Sequence, residues 1–534
     1  MVAMAGRYRR ERASSRPPPA LRRGPLSCIV QPMIEPTPPL TRVDVRPEHT
    51  LDDYAAVAHL AAAAAELRAE ATRIAPRLAG RTVWIVSSTA TGGGVAEMLP
   101  PIVGLLRDLG VSAEWLVIGS SDPAFYALTK RIHNLIHGSG DPRLGAADRE
   151  LFERVGLENA ARLQPLLRPG DVLVVHDPQP LPLAGFLRPA VRLVTVWRCH
   201  IGLDESNAAT HAAWEFLAPY LQHYDHAVFS APEYIPERLA GRARVIYPGI
   251  DPLAPKNRHL SLHEIVEVLC QGALIPCPGP TVGGPYQALA RRALPDGRFA
   301  PANASESIGL LTRPTITQIS RWDRLKGFLP LMRAFAELKQ SIYAADGSTD
   351  PLQRRRLDLV RLVLAGPDPA GVSDDPEATE VLDELRAAYA GLHPAVQDDI
   401  ALVVLPMQSV EANALMVNAL QRASTIVVQN SLREGFGLTI AEAMWKRIAV
   451  LSNSRACGPR QQVRDGVDGR LIRNPEDETE LRHAMDEMLA TPDDLRRMGG
   501  SAQRRVHDSF LVLDQLRSWG QLMWTALEPR AGEG

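Results

Sequence analysis

Two glutamates flank a glycine-rich turn in the segment 431–446, which has the sequence SLREGFGLTIAEAMWK. The turn opens a predicted helix, and the first turn of a helix presents unpaired N–H groups and a partial positive charge that suit a phosphate. Gly435 and Gly437 let a ligand approach the backbone closely. Glu434 and Glu442 can accept hydrogen bonds from the hydroxyls of a sugar and a ribose. Phosphate, ribose and sugar together predict a nucleotide-sugar site.

Two cations in an earlier segment support this prediction. Without them, an ordinary helix start with an acidic first turn would explain the segment 431–446 equally well. Arg321 and Lys326 lie in the sequence SRWDRLKG, directly after a predicted strand. Cations at the carboxyl end of a parallel strand can neutralise a diphosphate. A solvated loop has a similar composition, but the glutamate-containing turn further along the chain favours a diphosphate site.

Glycines follow the first predicted strand of the chain. Gly92, Gly93 and Gly94 lack the GxGxxG spacing of a dinucleotide-binding fingerprint. They form either a plain strand–helix turn or a mobile loop whose N–H groups face a phosphate or an acceptor.

Histidines and charged residues follow two further strands. His176 and Asp177 end one predicted strand, and Arg198, His200 and Asp204 lie in the segment WRCHIGLD after another. A histidine at a strand end is more often structural than functional. The mixture of residue types nevertheless favours contacts with sugar hydroxyls.

Composition excludes several classes of protein. The 534 residues include 59 Lys and Arg against 61 Asp and Glu, a net charge of −2, whereas a nucleic-acid-binding protein would usually be basic. The five cysteines are sparse and odd in number, which does not indicate a disulfide framework. We found no cysteine or histidine spacing that indicates zinc, and no apolar run reaches the length of a membrane span. We predict a cytoplasmic protein without a metal site.

Short apolar strands alternate with helical stretches along most of the chain. The strand-like segments are 81–89, 111–119, 171–180, 191–200, 226–234 and 242–253 in the first half, and 315–323, 357–366, 400–406, 424–431, 448–454 and 469–473 in the second. This alternation predicts an α/β protein with two Rossmann-like, doubly wound domains, each a parallel sheet with helices on both faces. A ligand in the cleft between them would face the carboxyl ends of the strands.

The predicted organisation has five parts. They are a disordered, basic and proline-rich tail (1–50), a Rossmann-like acceptor domain (51–255), a linker or insertion (256–312), a Rossmann-like nucleotide-sugar domain (313–505), and a C-terminal helix (506–534) that can cross back to the first domain. The tail lacks the apolar stretch of a secretory signal, and Met33 is an alternative start.

These segments resemble a known family. SLREGFGLTIAEAMWK resembles the Glu-x7-Glu motif of retaining GT-B glycosyltransferases, and Arg321 and Lys326 match the donor-phosphate pair of that superfamily. More narrowly, TGGGVAEML, VVHDPQPLPL, VWRCHIGLD, HAVFSAPEY, GIDPLAPKN and QISRWDRLKG are similar to segments of the trehalose glycosyltransferring synthases. Those enzymes join an NDP-glucose to glucose and form α,α-trehalose. The resemblance covers residues 80–258 and 312–520.

The resemblance implies a role for each matching residue. The residues implied to bind the donor are Gly93, Gly94, Arg321, Lys326, Gly435, Phe436, Gly437, Leu438 and Glu442, with Glu442 on the ribose. Those implied to face the acceptor are His176, Asp177, Arg198 and Asp204. The implied catalytic set is Arg321, Lys326, Glu434 and His200, with Glu434 and His200 on the donor sugar. UDP-, ADP- or GDP-glucose is then a substrate, the partner is a small sugar, and no metal or cofactor is required.

Two features depart from the family pattern. Cys457-Gly458 stands where a Gly-Gly pair is usual, and the insertion has no counterpart. Three alternatives stay open. They are a transferase with a different sugar, sugar-phosphate or glycan acceptor, a non-catalytic nucleotide-sugar-binding protein, and a phosphorylase, although no pyridoxal-phosphate lysine motif is evident. The sequence also allows a homodimer.

Overall fold

The computed structural model describes residues 40–528, apart from residues 92, 278–284, 287, 304–307, 345–349 and 372–376. Strands form where short β-branched and apolar runs occur, and helices lie between them. The strands are β1 Thr41–Arg42, β2 Thr82–Ser87, β3 Ser112–Val117, β4 Val172–His176, β5 Val194–Cys199, β6 His226–Phe229, β7 Ala243–Val245, β8 Arg291–Ala293, β9 Phe299–Pro301, β10 Thr315–Ile319, β11 Arg361–Pro367, β12 Ile400–Leu405, β13 Ile426–Val428, β14 Ala449–Asn453 and β15 Gly469–Ile472.

The α-helices pack on the faces of the sheets. They are α1 Leu51–Ala56, α2 Ala61–Leu78, α3 Gly94–Asp108, α4 Pro123–Ile136, α5 Ala146–Leu163, α6 Leu183–Leu187, α7 Ala208–Leu221, α8 Leu262–Gln271, α9 Phe328–Ala344, α10 Pro351–Leu359, α11 Ala378–Ala390, α12 Pro394–Gln397, α13 Val410–Arg422, α14 Leu438–Trp445, α15 Cys457–Gln462, α16 Glu478–Ala490, α17 Pro492–Ser509 and α18 Val512–Ala526.

The first sheet has the strand order β1-β3-β2-β4-β5-β6-β7, and its neighbouring strands are parallel except for the β1–β3 pair. Both faces are buried, as the apolar run of β4 illustrates. Leu173 and Val175 pack in the core on one face, and Val172 and Val174 pack in the core on the other. Successive side chains of a strand point to opposite faces, so a continuous apolar run predicts a strand covered on both sides.

The second sheet has the order β15-β14-β13-β10-β11-β12-β8-β9. The six strands from β15 to β12 are parallel, and β8 and β9 add an antiparallel edge. Every residue of β12 is buried, which is what its sequence IALVVL predicts. The prediction of two doubly wound α/β sheets is therefore confirmed, with antiparallel strands at one edge of each sheet as a correction.

Two predicted segments differ from the structure. Residues 256–312 are more than a linker, because α8 packs on α13 and the β8–β9 hairpin extends the second sheet. These strands could not be predicted from the sequence, because β8 and β9 are only three residues each, RRA and FAP, and show no apolar alternation. The predicted tail lies outside the described residues up to residue 39. Its remainder is ordered, because β1 pairs with β3.

Two segments cross side by side from one sheet to the other. Ile250 N–H donates to the Phe510 carbonyl at 2.8 Å, and Val512 N–H donates to the Ile250 carbonyl at 2.9 Å. A Cβ on Gly249 would lie 2.4 Å from the Leu511 carbonyl oxygen, so the contact requires glycine. After this crossing α18 packs on α2. The domain boundaries at 255, 312 and 505 stay predictions.

Candidate active site

The glycine-rich turn before α14 has a fixed path. Gly437 has a positive φ of 84°, which favours glycine, and it precedes the first residue of the helix. The ring of Phe436 is buried against the ring of Phe510, with centroids 5.7 Å apart. A Cβ on Gly458 in α15 would lie 2.4 Å from the Phe436 carbonyl oxygen. The close approach at the Cys457-Gly458 pair is thus made by Gly458, which the chain retains.

Residues that follow strands of the first sheet pack against the other side of this turn. The hydroxyl of Tyr234, which follows β6, lies 3.0 Å from the Glu434 carbonyl oxygen and 2.8 Å from that of Gly435, and it donates to them. A Cβ on Gly435 would lie 3.1 Å from the His200 carbonyl oxygen. The structure therefore brings His200, at the end of β5, against the turn that carries Glu434, as the sequence predicts for a cleft between the sheets.

The carboxylate of Glu434 lies in a polar cluster. It accepts from Lys326 Nζ at 2.7 Å, from Ser431 Oγ at 2.9 Å and from Gln429 Nε2 at 3.3 Å. The Lys326 side chain is 16% exposed and that of Glu434 is 13% exposed. Two predicted site residues that are distant in sequence are therefore in direct contact, and both remain accessible from the cleft.

Local turn chemistry places Lys326. Asp323 Oδ1 accepts from the Leu325 N–H at 2.8 Å and caps a short 3₁₀ turn that ends at Lys326. Gly327 closes the turn with a φ of 63°, and a Cβ there would lie 2.2 Å from the Asn430 carbonyl oxygen. The sequence DRLKG thus packs directly against the chain that leads to Glu434.

A histidine pair at the end of α4, with His133 in its last turn and His137 directly after it, lies near Arg321 and Lys326, and we overlooked it in the sequence. The rings of His133 and His137 lie 4.8 Å apart. Burial, followed by the charge of Lys130, lowers the pKa of His133 to about 4, and Arg321 contributes in the same direction. Burial, followed by the neighbouring His133, lowers the pKa of His137 to about 3. The HNLIH sequence, an HxxxH spacing that we did not note in the sequence, puts both rings on the same side of the chain and is the signal that could have revealed the pair.

Glu442 is placed on the buried face of α14 and is 5% exposed. Its Oε1 lies 3.8 Å from Lys256 Nζ, and the same ammonium lies 2.7 Å from Glu97 Oε2 on α3. The ammonium of Lys446 bonds the backbone carbonyl of Glu442 at 3.0 Å. We predicted Glu442 from the sequence but missed the two side chains, Lys256 and Glu97, that connect it to the first sheet.

The first turns of α3 and α14 face each other. Gly93 precedes α3 with a φ of 82°, and a Cβ on Gly94 would lie 3.3 Å from Leu438 Cδ1. Gly92 lies outside the described residues. The predicted donor-binding glycines and the start of α14 are therefore neighbours, so two helix N-termini approach one region of the cleft.

His176 and His200 form a second contact between predicted site residues. His176 Nδ1 and His200 Nε2 are 3.0 Å apart, and the rings are stacked. Burial lowers the pKa of His176 to about 3 and keeps that of His200 well below its usual range, so both rings are neutral near pH 7. Asp177 Oδ1 accepts from the His200 N–H at 2.8 Å, and burial raises the pKa of Asp177 to about 6. Asp177 also has a positive φ of 62°, a strained conformation typical of functional sites.

Two predicted acceptor residues have protein partners. The Arg198 side chain is fully buried, and it donates to the Phe229 carbonyl at 2.9 Å from behind the wall of the site. Its contact with an acceptor would require this wall to open. Asp204 accepts from Arg460 of α15 at 2.6 Å, across the cleft. An acceptor would have to share Asp204 with this ion pair.

The low pKa of His137 predicts a loss of stability in acid. The unfolded chain takes up protons on His137 near pH 6.5, whereas the folded chain does so only near pH 3. This group therefore stabilises the fold fully above pH 6.5, and its contribution is lost as the pH falls. Urea unfolding between pH 6 and 4 should show a free energy that falls less steeply in His137→Gln than in the wild type, by up to about 1.4 kcal/mol per pH unit. Equal slopes would contradict the assignment.

Neither a metal site nor a membrane span is found in the part of the chain that the structure describes. No group of three or more His, Cys, Asp or Glu side chains there could hold a metal ion. No helix among the same residues is long and apolar enough to cross a membrane. The predicted cytoplasmic location and the homodimer stay predictions.

Comparison with known proteins gives two family matches. The family described as trehalose synthase, N-terminal domain, matches residues 85–236. The family described as glycosyl transferases group 1 matches residues 407–505. The second match contains the glycine-rich turn, Glu434 and Glu442, and the first contains the histidine-bearing strands.

Curated relatives cover most of the chain. Trehalose synthase of Pyrococcus horikoshii is 31% identical over 446 residues, which cover 83% of this chain and 90% of that protein. Trehalose synthase of Rubrobacter xylanophilus is 30% identical over 489 residues, which cover 90% of this chain and 99% of that protein. Trehalose phosphorylase of Grifola frondosa is 26% identical, over 81% of this chain and 55% of that protein.

A solved structure confirms the fold. An α,α-trehalose-phosphate synthase from Burkholderia xenovorans, in complex with glucose-6-phosphate, matches with a TM-score of 0.58 and 17% identity over 84% of this chain and 100% of that chain. At this identity the match concerns the fold alone, which is GT-B. Together with the identity to the trehalose synthases, it shows that this chain belongs to the trehalose synthase family of GT-B glycosyltransferases.

Proposed function

We propose that this protein transfers glucose from a nucleoside diphosphate glucose to glucose, with retention at the anomeric carbon, and so forms α,α-trehalose. The contact between Lys326 and Glu434 at the start of α14 carries this proposal. It puts a cation for a diphosphate beside a carboxylate for sugar hydroxyls, where two helix N-termini approach each other. The relatives that bear the name trehalose synthase support the choice of product.

The proposed mechanism differs from that of retaining hydrolases, which use one carboxylate as nucleophile and one as acid. Here Glu434 and Glu442 bind the sugar and the ribose. The acceptor hydroxyl attacks from the face that the diphosphate leaves, and a phosphate oxygen accepts its proton. Arg321, Lys326 and the first turn of α14 stabilise the charge that develops on the leaving group. A divalent cation is not part of this mechanism, because these groups neutralise the diphosphate.

The acceptor lies in this proposal on the side of His176, Asp177 and His200. Neutral imidazoles and a partly buried carboxyl group suit the hydroxyls of an uncharged sugar, since each ring can donate or accept a hydrogen bond. A cleft that closes over the donor and this wall excludes water, which limits hydrolysis of the donor.

Product analysis tests the reaction. The purified protein is incubated with UDP-, ADP- or GDP-glucose and EDTA, with glucose, with glucose 6-phosphate, or without an acceptor. We expect a non-reducing disaccharide that trehalase cleaves, formed only when glucose is present. The rates with the three donors show which nucleotide base is preferred. Turnover only with glucose 6-phosphate or another acceptor would overturn the proposed acceptor. No nucleoside diphosphate release under any condition would favour a binding protein.

The relatives named trehalose phosphorylase favour a second candidate function. A phosphorylase would bind inorganic phosphate where we place the donor diphosphate, and it would cleave trehalose. Incubation with trehalose and phosphate tests this function directly. Formation of glucose 1-phosphate at a rate comparable to trehalose synthesis would establish it.

Glu442→Gln should mainly weaken binding of the donor. The substitution keeps the shape of this buried side chain but removes the charge that strengthens hydrogen bonds from the ribose. We expect the donor KM to rise by about tenfold and kcat to change little, because the interaction is similar in the ground and transition states. Steady-state kinetics at saturating glucose measures both. An unchanged donor KM would contradict the ribose assignment.

A further inference from the structure

Lys256 lies between carboxylates from the two sides of the cleft. Its ammonium is 2.7 Å from Glu97 Oε2 on α3 and 3.8 Å from Glu442 Oε1 on α14. The Lys256 side chain is only 23% exposed, and that of Glu442 is 6% exposed. The lysine belongs to the segment that crosses between the sheets, outside the strands and helices that carry the other site residues.

The backbone around Lys256 is fixed on both sides. Asn418 Nδ2 donates to the Pro255 carbonyl at 2.9 Å, and Asn257 Nδ2 donates to the Asp251 carbonyl at 2.9 Å. These bonds fix the backbone from which the Lys256 side chain extends. The position of the ammonium therefore does not depend on the side-chain conformation alone.

The second lysine in this region does not replace Lys256. The ammonium of Lys446 bonds the backbone carbonyl of Glu442 at 3.0 Å and Asn257 Oδ1 at 3.3 Å. Burial lowers the pKa of Lys446 below its usual range, and its ammonium bonds the backbone of Glu442 and not the carboxylate. The ion pair of the Glu442 carboxylate within the described residues is the one with Lys256.

A buried carboxylate is costly unless a cation lies nearby, because it has lost its contact with water. The carboxylate of Glu442 can accept hydrogen bonds through both oxygens. Lys256 faces Oε1 and leaves Oε2 for a ligand. We propose that Lys256 is a positioning residue that pairs with the Glu442 carboxylate and holds it toward the ribose of the donor. The inference rests on the proposed function.

Three variants test the role of Lys256. Lys256→Met removes the charge at nearly constant length, and Lys256→Arg retains it. Arg258→Met is the matched control, because Arg258 pairs with Glu264 at 2.9 Å only two residues further along the same segment. Calorimetry measures the Kd for UDP, ADP and GDP, and kinetics gives kcat and KM for donor and acceptor. Lys256→Gln replaces the Met variant if the latter does not fold.

Lys256→Met should raise the nucleotide Kd and the donor KM by about ten- to a hundredfold, because it leaves a buried carboxylate without its cation. We expect kcat to change by less than about threefold, because the lost interaction is equally strong in the ground state and in the transition state. The KM for glucose should stay constant. Lys256→Arg should restore most of the affinity, and Arg258→Met should bind nucleotide like the wild type.

Glu442→Gln, measured in parallel, separates this inference from the proposed function. Weak nucleotide binding in Glu442→Gln but wild-type binding in Lys256→Met would overturn the role of Lys256 alone. Wild-type binding in both would overturn the ribose site as well. Equal loss of affinity and of thermal stability in Lys256→Met and Lys256→Arg would show that the side chain acts by packing, which also overturns the inference.

Discussion

Replacing Lys326 with alanine should lower kcat by about two to three orders of magnitude while the protein remains folded. In the proposed reaction the Lys326 ammonium stabilises the leaving diphosphate, and this interaction grows as the glycosidic bond breaks. The fold should survive, because Lys326 lies at the cleft and its partner Glu434 keeps its hydrogen bonds with Ser431 and Gln429. Rates of nucleoside diphosphate release, together with thermal unfolding curves, measure both expectations.

Arg324→Ala is the control for this prediction. Arg324 lies in the same 3₁₀ turn but pairs with Glu384 and Glu380 on α11, at the exposed surface. We expect its kcat to remain within about twofold of the wild type, because exposed ion pairs contribute little. Wild-type turnover in Lys326→Ala, or an equal loss in Arg324→Ala, would contradict the assignment of Lys326.

Gly458→Ala should destabilise the fold by about 3 kcal/mol and weaken donor binding at the same time. Its Cβ would lie 2.4 Å from the carbonyl oxygen of Phe436 and 2.6 Å from its Cα, which are backbone atoms of the glycine-rich turn. Either α15 or that turn must therefore move. Urea unfolding measures the first effect, and the donor KM measures the second.

A second glycine shows whether the effect is specific to this contact. Gly391 has a φ of −80°, and a Cβ there would have its nearest neighbour at an ordinary 3.5 Å. Gly391→Ala should change the free energy of unfolding by less than about 1 kcal/mol. If Gly458→Ala were as mild as this control and kept a normal donor KM, the turn would be more adaptable than its packing indicates.

Long apolar strands were the elements that could be predicted from sequence. β4 and β12 are almost entirely apolar because both faces of each sheet are covered. Such a run of apolar residues can be recognised in the sequence without knowledge of the fold. β1, β8 and β9 could not be found in this way. β1 and β9 lie at sheet edges and β8 lies next to β9, and each of the three has only two or three residues, so its place depends on its partner strands more than on its own sequence.

The same distinction applies to the site. Glu434, Glu442 and Lys326 lie in motifs whose turn and helix chemistry is local, so residue type and spacing predicted them. Lys256 carries no such local signal, because its importance depends on Glu97 and Glu442, which reach it only through the tertiary fold. The burial of the Arg198 guanidinium behind β5 and β6 is likewise a property of packing, which a charged residue in a sequence does not reveal.

The paired crossing at Ile250 and Leu511 decides how the cleft can open. Both covalent connections between the two sheets run through this one place, where two backbone hydrogen bonds tie them together. A swing of one half against the other therefore has to bend both connections at this single place. Such a swing parts the cross-cleft contact between Asp204 and Arg460 together with the others. Entry of a substrate and release of a product would then depend on the same movement.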